Sequence, residues 1–251
     1  MKLANRRILL TGASSGIGLE AAHLFAAEGA RLALVARDEA GLERVRKAIA
    51  RPDEHVALAG DLTDEAQVNR IVDAAADALC GLDGIVNSAG KDHIAPFAET
   101  TVATWSTILN ANMTSTFMVC QRALPYLQAA KGATIVNLSS GAGLLPLAGR
   151  TAYCAAKAGL IMLSKTLALE LARDHIRVNA LCPGAIDTPM LRESAGGEHG
   201  DPMPAEVIAR FAMARVGEAD EIARAALFLS CEDSSFVTGT ALAADGGRTF
   251  H

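Results

Sequence analysis

The chain has 251 residues, of which 51% are hydrophobic, 20% are charged and 4% are aromatic, and its formal net charge is −5. This length can fold as one α/β domain around a single large core, and the scarcity of aromatic residues leaves aliphatic side chains to fill it. A net negative charge without long runs of like charge argues against a nucleic-acid surface.

Segments typical of strands and helices alternate along the chain, which predicts parallel β-α-β units. Short apolar runs predict seven strands, near residues 7–11, 31–36, 55–59, 83–87, 133–138, 176–181 and 239–244. Helical patterns fill the intervals, near residues 17–28, 39–50, 64–79, 103–129, 152–173 and 218–230. We therefore expect residues 1–251 to form a single domain of the α/β class. It should contain a Rossmann-type doubly wound parallel seven-stranded sheet, with helices on both faces and ligands at the carboxyl ends of the strands.

A glycine-rich turn joins the first predicted strand to the first predicted helix. Residues 11–18 read Thr-Gly-Ala-Ser-Ser-Gly-Ile-Gly. Glycine permits a tight turn and a close approach of the backbone to a ligand, and the helix N-terminus offers N–H groups to a pyrophosphate. Such a loop alone could be an ordinary βα turn, but its place between a strand and a helix favours dinucleotide binding.

Tyr153 and Lys157 stand four residues apart, and Ser140 lies thirteen residues before the tyrosine. Residues at this helical spacing face the same way, so the phenol and the ammonium can share one cleft. An ammonium beside a phenol favours the phenolate and lowers the pKa of the phenol, which suits general acid–base catalysis. The alternative is an exposed tyrosine and a solvated lysine. The independent glycine-rich motif favours the catalytic interpretation.

Together with further segments, these motifs resemble the short-chain dehydrogenase/reductase family in its single-domain type. The segments are Asn87-Ser88-Ala89-Gly90, Trp105 with Asn112 seven residues later, Ile135–Ser140, Pro183–Thr188 and Asp245-Gly246-Gly247. Ser88 departs from the family's second asparagine. The resemblance extends from about residue 3 to residue 248.

The resemblance implies four catalytic residues. Tyr153 would give a proton to a carbonyl oxygen or take one from an alcohol, and Ser140 would polarise that oxygen. Lys157 would also bind the nicotinamide ribose. Asn112 would hold a water molecule that links Lys157 to solvent, although Asn110 is a rival and an amide that only packs the helix is the alternative.

The resemblance also implies a set of cofactor-binding residues. They are Gly12, Ser14, Ser15, Ile17, Gly18, Arg37, Asp61, Leu62, Asn87, Ala89, Gly90, Tyr153, Lys157, Pro183, Gly184, Ile186 and Thr188. Asp61 could instead cap the helix that starts near residue 64, although Thr63 or Asp64 would serve better as that cap.

The end of the second predicted strand favours NADP(H) over NAD(H). NAD-specific sites of this family place a carboxylate there, where it accepts from the ribose 2′-hydroxyl, but this chain has Ala36 followed by Arg37. Arg37 can pair with a 2′-phosphate. Against this, Ser15 stands where many NADP-preferring relatives carry a second basic residue, and Asp38 could compete for Arg37. The alternative is a solvated surface arginine.

We therefore expect a reductase that transfers a hydride between NADP(H) and a ketone or secondary alcohol, with a small carbonyl or alcohol molecule as its partner. The alternative is a 3-oxoacyl-thioester reductase acting on acyl carrier protein or CoA substrates. Lys131 fits the basic surface of carrier-protein reductases, but Asp174 does not. A hypothesis of another class is a non-catalytic cofactor-binding scaffold, which the four filled catalytic positions disfavour.

Residues 105–127 and 151–172 are apolar on nearly every face, whereas a helix packed on one side should show a polar stripe. A second subunit would cover the extra face, and the resemblance implies a homotetramer, with the C-terminal segment up to Phe250 at a second interface. The alternative is a helix enclosed within one subunit. The family's substrate loop falls at residues 185–214, which include Gly196-Gly197, Pro202 and a predicted helix at Ala205–Ala214; a solvent loop is the alternative.

The five cysteines form no C-x-x-C pair, and no two of the six histidines have helical metal-ligand spacing, so we expect no metal site. Free thiols suggest a reducing compartment. The first ten residues predict a strand and not a signal peptide, and no apolar stretch is expected to reach the length of a membrane span. We therefore expect a cytoplasmic protein without membrane or nucleic-acid partners.

Overall fold

A parallel seven-stranded sheet forms the centre of the computed structural model, which describes residues 1–195 and 204–250. The strands are β1 (Arg7–Thr11), β2 (Arg31–Ala36), β3 (Val56–Ala59), β4 (Gly84–Asn87), β5 (Thr134–Leu138), β6 (Arg177–Pro183), β7 (Ile186–Asp187), β8 (Gly217–Glu218) and β9 (Ala241–Ala244). The sheet has the order β3-β2-β1-β4-β5-β6-β9, and β7 and β8 form a separate parallel pair. The predicted sheet is confirmed.

Helices cover both faces of the sheet, as a doubly wound fold requires. They are α1 (Gly16–Ala27), α2 (Glu39–Ala48), α3 (Glu65–Leu79), α4 (Val102–Leu109), α5 (Ser115–Ala129), α6 (Thr151–Leu171), α7 (Pro189–Ala195), α8 (Ala205–Ile208) and α9 (Ala219–Ser230). One apolar cluster joins the sheet to α1, α2 and α9, and another joins it to α3, α5 and α6. The sheet therefore lies between two cores.

The central strands are buried on both faces, which explains their continuous runs of aliphatic residues. In β1, Ile8, Leu9 and Leu10 are all buried, and Leu9 pairs with Ala33 of β2 on one side and with Ile85 of β4 on the other. The chain moves outward from β1 to β3 and then returns to place β4 beside β1. This change of direction opens a crevice at the carboxyl ends of β1 and β4, where doubly wound proteins bind their ligands.

The predicted helix at 103–129 is interrupted in the structure. A π-helical turn at Asn110–Thr114 separates α4 from α5, because the backbone N–H of Ser115 bonds to the carbonyl of Asn110. Such turns often occur at functional sites. The predicted helix at Ala205–Ala214 is also shorter, since α8 ends at Ile208.

One helix corrects the expectation that no apolar stretch reaches the length of a membrane span. Residues Thr151–Asp174, which contain α6, are long and apolar enough to cross a membrane by length and composition alone. In this fold α6 packs on β6 and carries Tyr153 and Lys157. The core helix of a globular protein meets the same criterion, so this helix is weak support for a membrane span.

Candidate active site

A cavity of about 890 Å³ lies at the carboxyl ends of the strands. Its walls come from segments that follow β1, β2, β4, β5 and β6, so it brings together residues that are distant in sequence. Most predicted site residues line it: Gly12, Ser14, Ser15, Ile17, Arg37, Asp61, Leu62, Ala89, Gly90, Ser140, Tyr153, Lys157, Pro183, Gly184, Ile186 and Thr188. Three predicted residues do not line it: Gly18, Asn87 and Asn112.

The N-terminus of α1 opens onto this cavity without a side-chain cap. Ser15 occupies the N-cap position, but its side chain makes no capping hydrogen bond, and the first turn holds no acidic residue. By contrast, the side chains of Asp38, Asp64 and Thr101 cap α2, α3 and α4. The N–H groups of the first turn of α1 are therefore available to an anion, as pyrophosphate binding requires.

Gly12 and Gly18 allow the turn before α1 to close. Gly12 has φ of +70°, and a Cβ atom there would lie 2.8 Å from the backbone nitrogen of Ala89. A Cβ atom on Gly18 would lie 2.2 Å from the carbonyl oxygen of Gly12. Gly18 thus allows the turn before α1 to close, although it does not line the cavity. This arrangement fits a dinucleotide.

Tyr153 and Lys157 lie side by side on α6. The Nζ atom of Lys157 is 5.5 Å from the centre of the Tyr153 ring and donates to the carbonyl of Leu138 at 2.9 Å. Burial raises the pKa of the Tyr153 phenol to about 12, although the Ser140 side chain acts in the opposite direction. Burial also lowers the pKa of the Lys157 ammonium to about 8.

These shifts correct the expectation that the phenol pKa is lowered. The ammonium is adjacent, as predicted, but burial of the phenol disfavours the phenolate and is the largest influence on its pKa. Ser140 follows β5, and its Oγ accepts the backbone N–H of Ala142 at 3.1 Å. The hydroxyl proton of Ser140 can therefore be donated toward the cavity.

Asn112 lies in the π-helical turn and is completely buried. Its amide donates to the carbonyls of Ile108 and Lys91, both at 2.8 Å, and its Oδ1 accepts the N–H of Lys91 at 3.2 Å. A Cβ atom on Gly90 would lie 2.8 Å from this Oδ1 and 3.5 Å from Lys157 Nζ. The Asn112 amide therefore makes the packing contacts of the alternative interpretation and braces the chain beside Lys157. The rival residue, Asn110, lines the cavity.

Asn87 supports the site from within the sheet. Its amide donates to Asn137 Oδ1 at 2.9 Å, and the Asn137 amide donates to Ser164 Oγ of α6 at 2.9 Å. Asn87 is buried, so its position in the structure is that of a bracing residue. The neighbouring Ser88 and Ala89 line the cavity instead.

At the other end of the cavity lie Arg37 and Asp61. Asp61 accepts hydrogen bonds from the N–H and hydroxyl of Thr63, at 2.9 and 2.8 Å, and these bonds hold the pKa of its carboxyl below the usual range. Asp64, not Asp61, caps α3. The Asp38 side chain caps α2, and its Oδ2 atom lies 3.7 Å from a terminal guanidinium nitrogen of Arg44. Arg37 is exposed and forms no ion pair with the residues that the structure describes.

Described residues from the two ends of the segment at 185–214 form part of the cavity wall. Met190, Leu191, Val207 and Phe211 line it, together with Leu145 from the loop after Ser140. The Thr188 hydroxyl donates to the carbonyl of Ile186 at 3.1 Å. Residues 196–203, which include Gly196, Gly197 and Pro202, lie outside the described residues.

Sequence reasoning did not identify an ion pair that also lines the cavity. Arg150 Nε donates to Asp92 Oδ2 at 2.9 Å, and both residues line the cavity, as does Lys91. No local signal connects two residues 58 positions apart. Within residues 1–195 and 204–250, no group of three His, Cys, Asp or Glu side chains could hold a metal ion.

Comparisons with known proteins agree with this geometry. The family model described as enoyl-(acyl carrier protein) reductase matches residues 12–249. The chain is 34% identical over 251 residues to the 2-(S)-hydroxypropyl-CoM dehydrogenase 3 of Xanthobacter autotrophicus, covering 99% of this chain and 98% of that protein. It is also 34% identical over 248 residues to the 3-oxoacyl-[acyl-carrier-protein] reductase of Thermotoga maritima, covering 98% and 99%.

The crystal structure of levodione reductase is similar in fold as well as in sequence. It superposes with a TM-score of 0.92 at 33% identity, covering 98% of each chain. The similarity therefore extends over the sheet, both helical layers and the cavity. The chain belongs to the short-chain dehydrogenase/reductase family, whose members are oxidoreductases that use nicotinamide cofactors and act on CH–OH groups.

Proposed function

We propose that the protein reduces a small ketone with NADPH and catalyses the reverse oxidation of a secondary alcohol, with Tyr153 as the general acid or base. The convergence of Tyr153, Ser140 and Lys157 in one cavity with the uncapped N-terminus of α1 carries this proposal. When bound, the nicotinamide supplies or accepts the hydride. The protein's own groups hold the carbonyl oxygen and exchange its proton.

The proton donor is Tyr153. With a pKa near 12, the phenol keeps its proton at neutral pH and can give it to the oxygen of a carbonyl that is being reduced. Ser140 donates its hydroxyl proton to the same oxygen, because its Oγ already accepts from Ala142. Lys157 holds a positive charge beside the phenol below about pH 8.

The residues that line the cavity are suited to nicotinamide adenine dinucleotide phosphate. The N-terminus of α1 and the turn shaped by Gly12 and Gly18 would hold the pyrophosphate. Ala36 leaves no carboxylate at the end of β2 to repel a 2′-phosphate, and the exposed Arg37 forms no ion pair with described residues. Asp38 does not compete, since it caps α2 and lies near Arg44.

The remaining lining favours a compact substrate. Leu145, Leu147, Ile94 and Met190 supply apolar walls in the cavity that also holds Tyr153. We propose that residues 185–214 act as the substrate loop of a single domain that includes the whole chain. Apolar walls with a few polar groups are the usual composition of a small-molecule site.

A 3-oxoacyl-thioester reductase is the second candidate, supported by the Thermotoga maritima relative. Lys131 is exposed and would meet an acidic carrier, but Asp174 and Gln128 share its shallow groove and are hydrogen-bonded to each other at 2.7 Å. A carboxylate there weakens the attraction of an acidic carrier. A purely cofactor-binding scaffold is a third candidate, which turnover of any carbonyl compound would exclude.

We also propose a homotetramer in the cytoplasm. The exposed apolar residues Val102, Phe117, Met162 and Leu169 lie on α4, α5 and α6, and Phe250 lies near the C-terminus. Such a surface is typical of a subunit interface. All five cysteines are free, which suits a reducing compartment.

The decisive experiment measures oxidation of NADPH and NADH with a panel of ketones, β-keto thioesters and acyl carrier protein substrates, and reduction of both oxidised cofactors with alcohols. We expect turnover of a small ketone with NADPH. Exclusive turnover of carrier-bound thioesters would favour the second candidate. Cofactor binding without turnover in any assay would favour the scaffold.

A further inference from the structure

Arg150 brings a positive charge close to the proposed proton donor. It stands directly before α6, three residues ahead of Tyr153, and it lines the cavity with Ile94 and Leu147. Its side chain is only 21% exposed. A charge that is largely withdrawn from water requires partners of opposite charge.

The ion pair with Asp92 uses only one edge of the guanidinium. Nε donates to Asp92 Oδ2 at 2.9 Å, and the two terminal nitrogens have no hydrogen bond to the residues that the structure describes. Other arginines of this chain bind their carboxylate through two nitrogens: Arg7, Arg46, Arg122, Arg192 and Arg215. The two terminal nitrogens of Arg150 therefore remain available, and together they can donate two parallel hydrogen bonds to a second carboxylate.

Neighbouring contacts hold this guanidinium in place. Asp92 Oδ1 accepts the backbone N–H of His93 at 2.8 Å, which fixes the carboxylate that anchors Arg150. The N–H of Ala95 bonds to the carbonyl of Gly149 at 2.9 Å, which ties together the two segments that carry the pair. An arginine positioned before its ligand arrives loses less side-chain freedom on binding.

The charges around the cavity also favour an anion. Six basic and three acidic side chains line its described part. Two of the acidic residues, Asp38 and Asp61, lie beside Arg37. Their carboxylates accept hydrogen bonds from the backbone N–H groups of Gly41 and Thr63, respectively. Near Arg150, the N-terminus of α6 has no side-chain cap and adds the positive end of the helix dipole.

We propose that Arg150 binds an anionic group of the substrate, so that the preferred substrate is an oxo acid or the corresponding hydroxy acid. This inference rests on the proposed exchange of hydride and proton at Tyr153. The carbonyl oxygen meets Tyr153 and Ser140, while a carboxylate, or an anion of similar shape, meets the terminal nitrogens of Arg150. Asp92 positions the arginine and does not itself touch the substrate.

The test compares oxo acids with their methyl esters, which have the same ketone but no charge. A series with the carboxylate at increasing distance from the ketone is assayed for kcat/KM in the wild type and in Arg150→Gln. We expect the acid-to-ester ratio to peak at one chain length and to fall about ten- to a hundredfold in the variant, as expected for a charge-assisted hydrogen bond. The chain length at the peak reports the distance between the two binding groups.

Matched variants separate a specific contact from general attraction. Arg210→Gln removes an exposed positive charge from the same cavity, and we expect a much smaller fall in the ratio because solvent screens that charge. Arg150→Lys keeps the charge without the two terminal guanidinium nitrogens and should be intermediate. An equal fall for Arg150→Gln and Arg210→Gln, or an unchanged ratio in Arg150→Gln, overturns the proposal.

A binding measurement keeps this inference separate from the proposed reaction. Calorimetric titration of the hydroxy acid and its methyl ester reports the anion's contribution without turnover. Stronger binding of the acid than of the ester, lost in the folded Arg150→Gln variant, supports the anion site even if no carbonyl compound is reduced. Equal binding of acid and ester by the wild type rejects it, even if ketones are turned over.

Discussion

The ammonium of Lys157 lies 5.5 Å from the centre of the Tyr153 ring and is anchored by a 2.9 Å hydrogen bond to the carbonyl of Leu138. The carbonyl belongs to β5, so the last residue of a central strand fixes the position of the lysine on α6. Burial moves the pKa of Lys157 to about 8 and that of Tyr153 to about 12. Each group is therefore held closer to its neutral form.

Replacing Tyr153 by phenylalanine removes only the hydroxyl group of the proposed proton donor. We expect kcat for ketone reduction to fall by about 10²–10⁴-fold, as is typical of a general acid, while the cofactor dissociation constant changes little. Steady-state kinetics and cofactor titration check both quantities. Tyr126→Phe is the matched control, because the Tyr126 hydroxyl bonds to Asp73 and lies outside the cavity. Substantial turnover in Tyr153→Phe would show that another group transfers the proton.

Lys157 should lower stability at neutral pH. Its pKa is about 8 in the folded protein, against an ordinary value of 10.5 for a solvated lysine, so the unfolded chain binds more protons between these values and stability rises with pH across that window. At pH 7 the buried charge costs up to about 3 kcal/mol. Lys157→Met should therefore raise the melting temperature by about 3–10 °C while reducing turnover. The exposed Lys165→Met on the same helix should have little effect on either.

Arg37 should determine the choice between the two cofactors. We expect kcat/KM with NADPH to exceed that with NADH by about ten- to a hundredfold, the effect of one charged hydrogen bond. Arg37→Ala should weaken NADPH alone and collapse this ratio. Arg44→Ala removes a nearby charge that lies 3.7 Å from Asp38 and should leave the ratio unchanged. A wild-type preference for NADH would reject the assignment.

Gly18 tests the turn before α1. The added methyl group of Gly18→Ala would lie 2.2 Å from a backbone oxygen, so the turn must shift. We expect a loss of about 1–3 kcal/mol in the free energy of unfolding and at least about tenfold weaker cofactor binding. In the control Gly159→Ala, the nearest atom belongs to the flexible side chain of Met113, which can move. Calorimetric cofactor titration distinguishes the two variants.

Assembly can be tested at Leu169, which is 82% exposed on α6. Leu169→Asp places a charge in the proposed interface and should convert tetramers to smaller species in sedimentation velocity runs at micromolar concentration. Glu170→Asp changes an adjacent residue without altering the charge and should leave the assembly intact. A wild-type chain that sediments as a monomer would contradict the proposal.

Sequence patterns predicted the sheet well because its strands are short apolar runs bounded by turns. All seven predicted strands agree with the structure within two residues at either end. The π-helical turn at Asn110–Thr114 was not predictable, since the helical pattern continues through residues 103–129. Its origin lies in backbone hydrogen bonding, which hydrophobic periodicity does not report.

The site was predictable where chemistry is local and less so where it depends on packing. The spacing of Tyr153 and Lys157 predicted their adjacency, but the direction of the phenol pKa shift follows from burial, which no local pattern reveals. Asn87 and Asn112 lie behind the cavity wall because their amides bond to neighbouring segments. The pairing of Asp92 with Arg150 depends on two loops that meet only in the folded chain.

The uncapped N-terminus of α1 has a consequence for the local stability of the protein. Because no side chain of Ser15 closes this helix, the cofactor's pyrophosphate would supply its missing cap. The free N–H groups at the start of the first β-α-β unit would then be satisfied by the bound cofactor and not by a side chain of the protein. The cellular concentration of that cofactor would set how firmly this half of the molecule resists local opening, and amide hydrogen exchange in α1 would slow as the cofactor is added.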